Sequence, residues 1–390
     1  MKKVIIALLL VFLMPALLFA VSFPSLYTLD VPYTYQNLYL SGNLGGNDAF
    51  EILYNKNLAT PFSITTAVAG DYYFINHTEN THLDLSSRGS YLQLGSTGLR
   101  MNAAASGDFK SYAFSIGSFP AYYQVAGGVR FFMNLPFDGG ASSLTINLSP
   151  AVGAGIGKMY FIGTIKKIVN TMEHFGVTPT EAIVEKVARQ KYTSAQHFNT
   201  YSSDSSELYG TYYRDLAHAY TIDDKVVELI YLNQSQEYSF EAARWNNLMY
   251  GWQAYAQLRP SFSFTTGTKS TFKLGIALGG EWATLLAGES VYVKVGGELI
   301  PTIDTAATKV FNFLANANVD SRYFFDNPRM WIDSSLGIGV DTNAFTKFNL
   351  NLSGIFNYLI APNFTVYGGL EVFNTFDIIR VVAGGNIRLF

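Results

Sequence analysis

Phe348-Asn349-Leu350-Asn351-Leu352-Ser353-Gly354-Ile355-Phe356-Asn357-Tyr358 is the stretch on which the fold turns. Phe348, Leu350, Leu352, Phe356 and Tyr358 share one parity, and Asn349, Asn351, Ser353 and Asn357 the other. Successive side chains of a strand point to opposite faces, so the stretch is a strand with one apolar and one polar face. A turn at Ala361-Pro362-Asn363 follows. Beyond it Phe364, Val366, Leu370 and Val372 alternate with Thr365, Tyr367 and Glu371, and the chain ends on Leu389-Phe390.

Composition narrows what such strands can build. Charged residues are 14% of the chain, aromatics 15%, with 26 Tyr, 30 Phe and 34 Gly. Ordinary soluble domains carry roughly 25% charge. Low charge and many aromatics suit a sheet whose outer face meets lipid. The net charge of −3 implies no nucleic-acid partner. No cysteine is present, which excludes disulfides, thiolate chemistry and a lipoprotein anchor. Met1-Lys2-Lys3, an apolar run from Val4 to Leu13 and small residues near Ala20 read as a secretory signal peptide over 1–20. No other apolar run is long enough for a spanning helix.

Residues 21–60 give no clean strand, and Asp48 to Tyr54 reads as a helical turn or two; the segment is expected as a periplasmic arm or a lumenal plug. Strand patterns then occupy 61–157. They run over Phe62–Ile75, weakly over His82–Ser87, over Tyr91–Ala103, around Tyr112–Ile116, over Val125–Leu135 and over Leu144–Val152. Ala105-Ser106-Gly107-Asp108 and Asp138-Gly139-Gly140 read as turns between them. From Tyr255 to Phe390 eight strands follow, within a second barrel part at 251–390.

The rhythm changes between Lys158 and Tyr250. Ile165, Ile168, Val169, Met172 and Phe175 form a helical stripe that Gly176 ends. Thr178-Pro179-Thr180-Glu181 reads as a capping box before a second helix. Thr221-Ile222-Asp223-Asp224 opens a third, and Ser239 caps a fourth containing Trp245. This window holds 20 charged residues in 93, against 35 in the other 297, and only three of the 34 glycines. It is an inserted helical subdomain, 158–250.

Together these features predict an all-β transmembrane fold, an antiparallel up-and-down β-barrel of about 14 strands, with 12 as the alternative. The signal peptide, the alternating strands and the terminal Phe390 resemble the outer-membrane β-barrel proteins of diderm bacteria as a class. That resemblance implies a cell outer-membrane location, lipid contact and the barrel-assembly machinery as a partner in biogenesis. It also implies a last strand ending at the periplasm, and counting back eight strands then puts the helical insert on the periplasmic side. One departure stands out. The class carries apolar residues two, four and six before the terminal aromatic, where this chain has Arg388, Asn386 and Gly384; Leu389, Ile387, Ala383 and Val381 form the apolar face instead.

No catalytic, cofactor or metal site is expected. His77 and His82 fall in a surface loop whose spacing matches no ligand pair. No hydrolase triad can be placed on the strands. The residues expected to line the lumen are Arg130, Lys273, Glu281, Lys294, Glu298, Asp320, Arg322 and Arg329, either as a ladder of ion pairs or as a set tuning selectivity. The expected function is a plugged or capped channel for small solutes, gated by the insert. The alternatives are a membrane-anchored scaffold whose insert docks a periplasmic protein, and a hydrophobic-substrate uptake barrel with residues 21–60 as its hatch.

Overall fold

The computed structural model describes residues 25–43, 50–55, 62–95, 98–137, 139–200, 206–245, 248–305, 311–342, 347–373 and 378–388. The expected signal peptide lies outside them.

The strands form one antiparallel sheet. They are β1 Tyr33–Asn43, β2 Phe50–Asn55, β3 Phe62–His77, β4 Thr81–Gly95, β5 Gly98–Ile116, β6 Phe119–Pro136, β7 Ser143–Phe161, β8 Met249–Thr265, β9 Thr271–Leu286, β10 Val291–Asp304, β11 Phe311–Phe324, β12 Met330–Asp341, β13 Lys347–Ala361, β14 Phe364–Phe373 and β15 Ile378–Arg388. From β3 to β15 each pairs with its sequence neighbours. β1 pairs with β3 at 67–77 and with β15 at 385–388, while β2 pairs with β3 at 62–65 and with β15 at 378–383. The two therefore lie end to end in one strand position, and the order of pairings returns to its start. Among the described residues fifteen strands fill fourteen positions, not twelve. Pairing of β1 and β2 to both neighbours meets part of the ladder at the seam, as an apolar solvent favours, while among the described residues Tyr33–Leu38 pair with β3 alone.

The total of fourteen matches the expectation, but its make-up does not. Residues 33–43 and 50–55 are wall rather than arm or plug, and the helical turn expected at 48–54 is mostly β2. The turn expected at 105–108 is absent, because β5 runs unbroken through it for 19 residues. The eight strands from β8 onward stand as expected.

The two faces of the wall differ as the alternation requires. Leu92, Ile116, Val125, Val152, Ile276, Leu370 and Val381 are among the large apolar side chains exposed on the outside. Polar and charged side chains point inward and bond to one another across strands.

Between β7 and β8 the chain leaves the sheet for five helices: α1 Ile162–His174, α2 Glu181–Thr200, α3 Ser206–Tyr220, α4 Val226–Gln234 and α5 Gln236–Arg244. Gly176 ends α1 as expected, at φ +69°, with the Val177 amide donating to the Met172 carbonyl at 2.8 Å. The capping box is displaced. Thr180, not Thr178, receives the Ile183 amide, so Pro179 precedes the cap. Ser239 lies inside α5 rather than at its start. α3 was not read in the sequence, since its inner stripe is built from Tyr213, Leu216, Ala217 and Tyr220 rather than from plain aliphatics. Ile162, Ile165, Ile168, Met172, Val184, Leu216, Leu229 and Phe240 form a buried core. That core continues onto Tyr292, Phe324, Trp331 and Leu359 of the barrel.

Candidate functional site

The chemistry of the molecule lies in the lumen and at the seat of the helices on one mouth. The barrel partners of the helices named below lie in turns or close to strand ends, all at the mouth where β7 ends and β8 begins. The helices cover that mouth.

Three groups hold the cover down. Glu289, in the turn between β9 and β10, binds Lys166 of α1 and the Tyr27 hydroxyl. Burial, with Glu289 next to it, raises the Tyr27 hydroxyl above its usual pKa, which keeps it a donor. Glu289 sits at φ +73°, a left-handed conformation disfavoured for a residue with a side chain. On the opposite rim Glu79 binds Arg189 of α2, and Glu185 binds the same guanidinium. Both carboxylates raise the Arg189 pKa. On a third side Trp245 stacks on Phe324 at 4.2 Å between ring centroids. Here Arg322 donates to the Arg244 carbonyl at 2.9 Å, and Arg244 donates to the Phe325 carbonyl at 2.7 Å.

Beneath the cover the segment 29–32 enters the mouth. Lys158 of β7 donates to Asp30 at 2.6 Å and to the Glu79 carbonyl at 2.8 Å. His77 and His82 do not lie in the surface loop expected from the sequence. They end β3 and open β4, are 2% and 6% exposed, and pack their rings 5.6 Å apart against Phe161. His77 Nε2 lies 3.1 Å from Asp30. The loop between them keeps Glu79 and Asn80 exposed, while the two histidines are buried against Phe161 of β7.

Further into the lumen, β5 to β10 carry one connected polar network. Gln124 donates to Asp108 at 2.7 Å, Gln257 to Gln124 at 2.5 Å and Arg259 to Gln257 at 2.7 Å. Arg259 then pairs with Glu298 at 2.6 Å, which also accepts from the Tyr255 hydroxyl at 2.8 Å. Tyr255 reaches β10 by lying flat over Gly279 of β9, where a Cβ would fall 2.7 Å from its ring. A second branch runs from Asp108 through Lys110 at 3.4 Å to Gln253 at 3.2 Å, then to Glu281 and Lys294. Lys110, Gln124, Gln253 and Gln257 are buried, while Arg259 and Lys294 stay partly exposed.

The wall from β11 to β13 is different. Its ion pair among the described residues, Arg322 with Asp333, lies near the cover, where Trp331 and Asn357 also donate to Asp333. Farther from the cover Asn316, Asn318 and Asn351 are exposed to the lumen.

The expected lining residues are scattered over these features rather than gathered in one set. Arg130 donates to Asn102 at 2.6 Å, and Lys273 pairs with Asp304 at 2.9 Å. Glu281 pairs with Lys294, and Glu298 with Arg259, so Lys294 and Glu298 act across strands and not with each other. Asp320 accepts from Asn318 at 2.7 Å while Arg322 turns to Asp333. Arg329 does not line the lumen. It sits in the β11–β12 turn with its guanidinium 4.1 Å from the Phe240 ring of α5.

Asp108, Lys110, Arg259, Asp333 and Glu289 were missed. Asp108 and Lys110 share the inward parity of Asn102, a signal lost once 105–108 is taken for a turn. Nothing in the sequence singles out Glu289.

No family model matches the sequence, and neither does any curated protein. Among solved structures the chain is similar to the outer membrane protein Omp33 of Acinetobacter baumannii, at 9% identity and a TM-score of 0.34, over 93% of this chain and 100% of that one. It is also similar to a bacterial polysaccharide outer membrane secretin, at 8% identity and a TM-score of 0.33, over 91% and 98%. A third is the KdgM porin, at 7% identity and a TM-score of 0.27, over 80% and 99%.

Proposed function

We propose that the protein is an outer-membrane channel for small solutes whose periplasmic mouth is covered by the helical insert. One observation carries the reading: a wall greasy outside and polar inside, with folded helices seated on one end of its lumen. Turn lengths support the sidedness. At the covered mouth the turns run to 78–80, 117–118, 287–290, 325–329 and 362–363, while most connections at the other mouth have four to six residues. Short turns are periplasmic in this class of barrel. β1 also begins, and β15 ends, at the covered mouth. On this reading lipid and the barrel-assembly machinery are the partners, and the described lining residues set selectivity. The hatch alternative loses most of its material, because residues 33–43 and 50–55 belong to the wall.

The test is single-channel recording of the whole protein in planar bilayers. The wild type is expected to be closed or weakly conducting, and a Glu79→Ala, Glu289→Ala variant to open more often and more widely. Silence from both sinks the channel. A scaffold is the second reading, favoured by Val227 and Tyr231, which α4 displays at 65% and 70% exposure. Crosslinking of the intact protein in cells, abolished by Val227→Asp and Tyr231→Asp, would support it.

A further inference from the structure

We propose that the inner wall of β11, β12 and β13 is a binding track for neutral polyhydroxylated solutes, short oligosaccharides in particular. The inference rests on the channel reading and names the cargo that this wall fits.

The strand registers place two rows of residues side by side across the lumen wall. One row runs Gly296, Asn318, Gly337, Asn351; the next runs Glu298, Asn316, Gly339, Asn349. On β12 two inward glycines thus lie between a pair of asparagines on β11 and a pair on β13. Neighbouring strands are about 4.8 Å apart and alternate residues about 6.8 Å apart. The result is a trough whose backbone floor is open at Gly337, where a new Cβ would meet nothing closer than Asn351 at 3.8 Å, with carboxamides along both sides; the Asn316 carboxamide leans over Gly339, and that of Asn318 over Gly296 of β10. Asn316, Asn318 and Asn351 are exposed within it. The next row continues the polar surface with Ser335 and Ser353, bonded at 2.7 Å.

A carboxamide offers a donor and an acceptor from one group. A sugar hydroxyl does both as well, so neighbouring hydroxyls can meet neighbouring asparagines without a charge being stripped of water. Ions have less to gain here. The flanking Glu298 is held by Arg259 and Tyr255, and Asp320 by Asn318. On β5 to β10 the network from Asp108 to Lys294 ties its polar groups to one another, whereas Asn316, Asn318 and Asn351 of the neutral wall stay exposed.

The experiment is equilibrium binding of maltotriose, and of its oxidised anionic form maltotrionate, to the whole protein in detergent, followed by block of its current in bilayers. Saturable maltotriose binding is expected, no weaker than that of maltotrionate. Gly337→Val puts a side chain on the trough floor, where the nearest heavy atom to a new Cβ is 3.8 Å away. It and Asn351→Leu should each weaken binding about tenfold, the loss of roughly one good hydrogen-bonded contact, with an unaltered unfolding profile in detergent showing that the barrel is intact. Absence of saturable binding, equal binding in both variants, or clear preference for maltotrionate overturns the track. Binding without current keeps the track and removes the channel. Current with neither binding nor block does the reverse.

Discussion

Two parts of the lumen wall solve the same problem in opposite ways. From β5 to β10 the wall carries charges of both signs, and Lys110, Arg259, Glu281, Lys294 and Glu298 find partners on other strands. From β11 to β13 most of it carries amides, hydroxyls and bare backbone, and water reaches it. A buried charge tolerates no loss of its partner, whereas an exposed carboxamide can fall back on water. The first wall is therefore a structural member and the second a surface.

The largest expected effect tests that contrast directly. Glu281→Ala strands Lys294 and removes an acceptor from Gln253. Breaking a buried pair costs about 3–5 kcal/mol, and partial exposure of this one lowers the expectation to about 2 kcal/mol. Asn316→Ala should cost under about 0.5 kcal/mol. Equilibrium unfolding by guanidinium in detergent measures both. Equal losses would erase the distinction between the walls.

The glycines sharpen it further. Gly279 and Gly337 both face the lumen on alternating strands, and in sequence they look alike. Gly279→Val must push Tyr255 off Glu298 or shift the backbone, which overpacking data put at about 1–3 kcal/mol. A Cβ at Gly337 meets nothing closer than 3.8 Å, and Gly337→Val should stay within about 0.5 kcal/mol. The same unfolding experiment checks the pair, and a costly Gly337→Val would mean that the trough is already occupied by neighbouring side chains.

The faces of 348–358 were legible because strand parity is rigid once a strand is recognised. What failed was recognition where the pattern is diluted. Ala103, Ala104, Ala105, Ser106 and Gly107 are small on both faces, so a continuous strand resembled a turn and hid Asp108 and Lys110. The first strand position is interrupted between Asn43 and Phe50, so neither piece shows a long alternation. The cross-strand pairs were out of reach for another reason. Parity says which side chains face inward, but not that Tyr255 lies over Gly279 to meet Glu298, which depends on register between three strands.

Glu289 lies on the rim of the first wall and gives the smallest of the expected effects on stability, though not on the cover. Its backbone is left-handed at φ +73°, at a cost of about 1 kcal/mol that glycine would not incur. Its carboxylate, however, is what joins Lys166 and Tyr27 to the rim. Glu289→Gly should therefore leave barrel stability unchanged or raised by up to about 1 kcal/mol, while loosening the helices. Glu289→Gln keeps the side chain and the strain and loses only the charge, so it should loosen them less. Limited proteolysis of the intact protein, read as the rate of cutting between 162 and 248, separates the two. Faster cutting in Glu289→Gly than in Glu289→Gln, with no loss of barrel stability, means that the turn holds an unfavourable backbone for the sake of its carboxylate. Equal cutting rates in both variants and the wild type would leave the seat of the helices to Phe324, Trp331 and the rest of the apolar contact, and Glu289 would be a strained turn with no task.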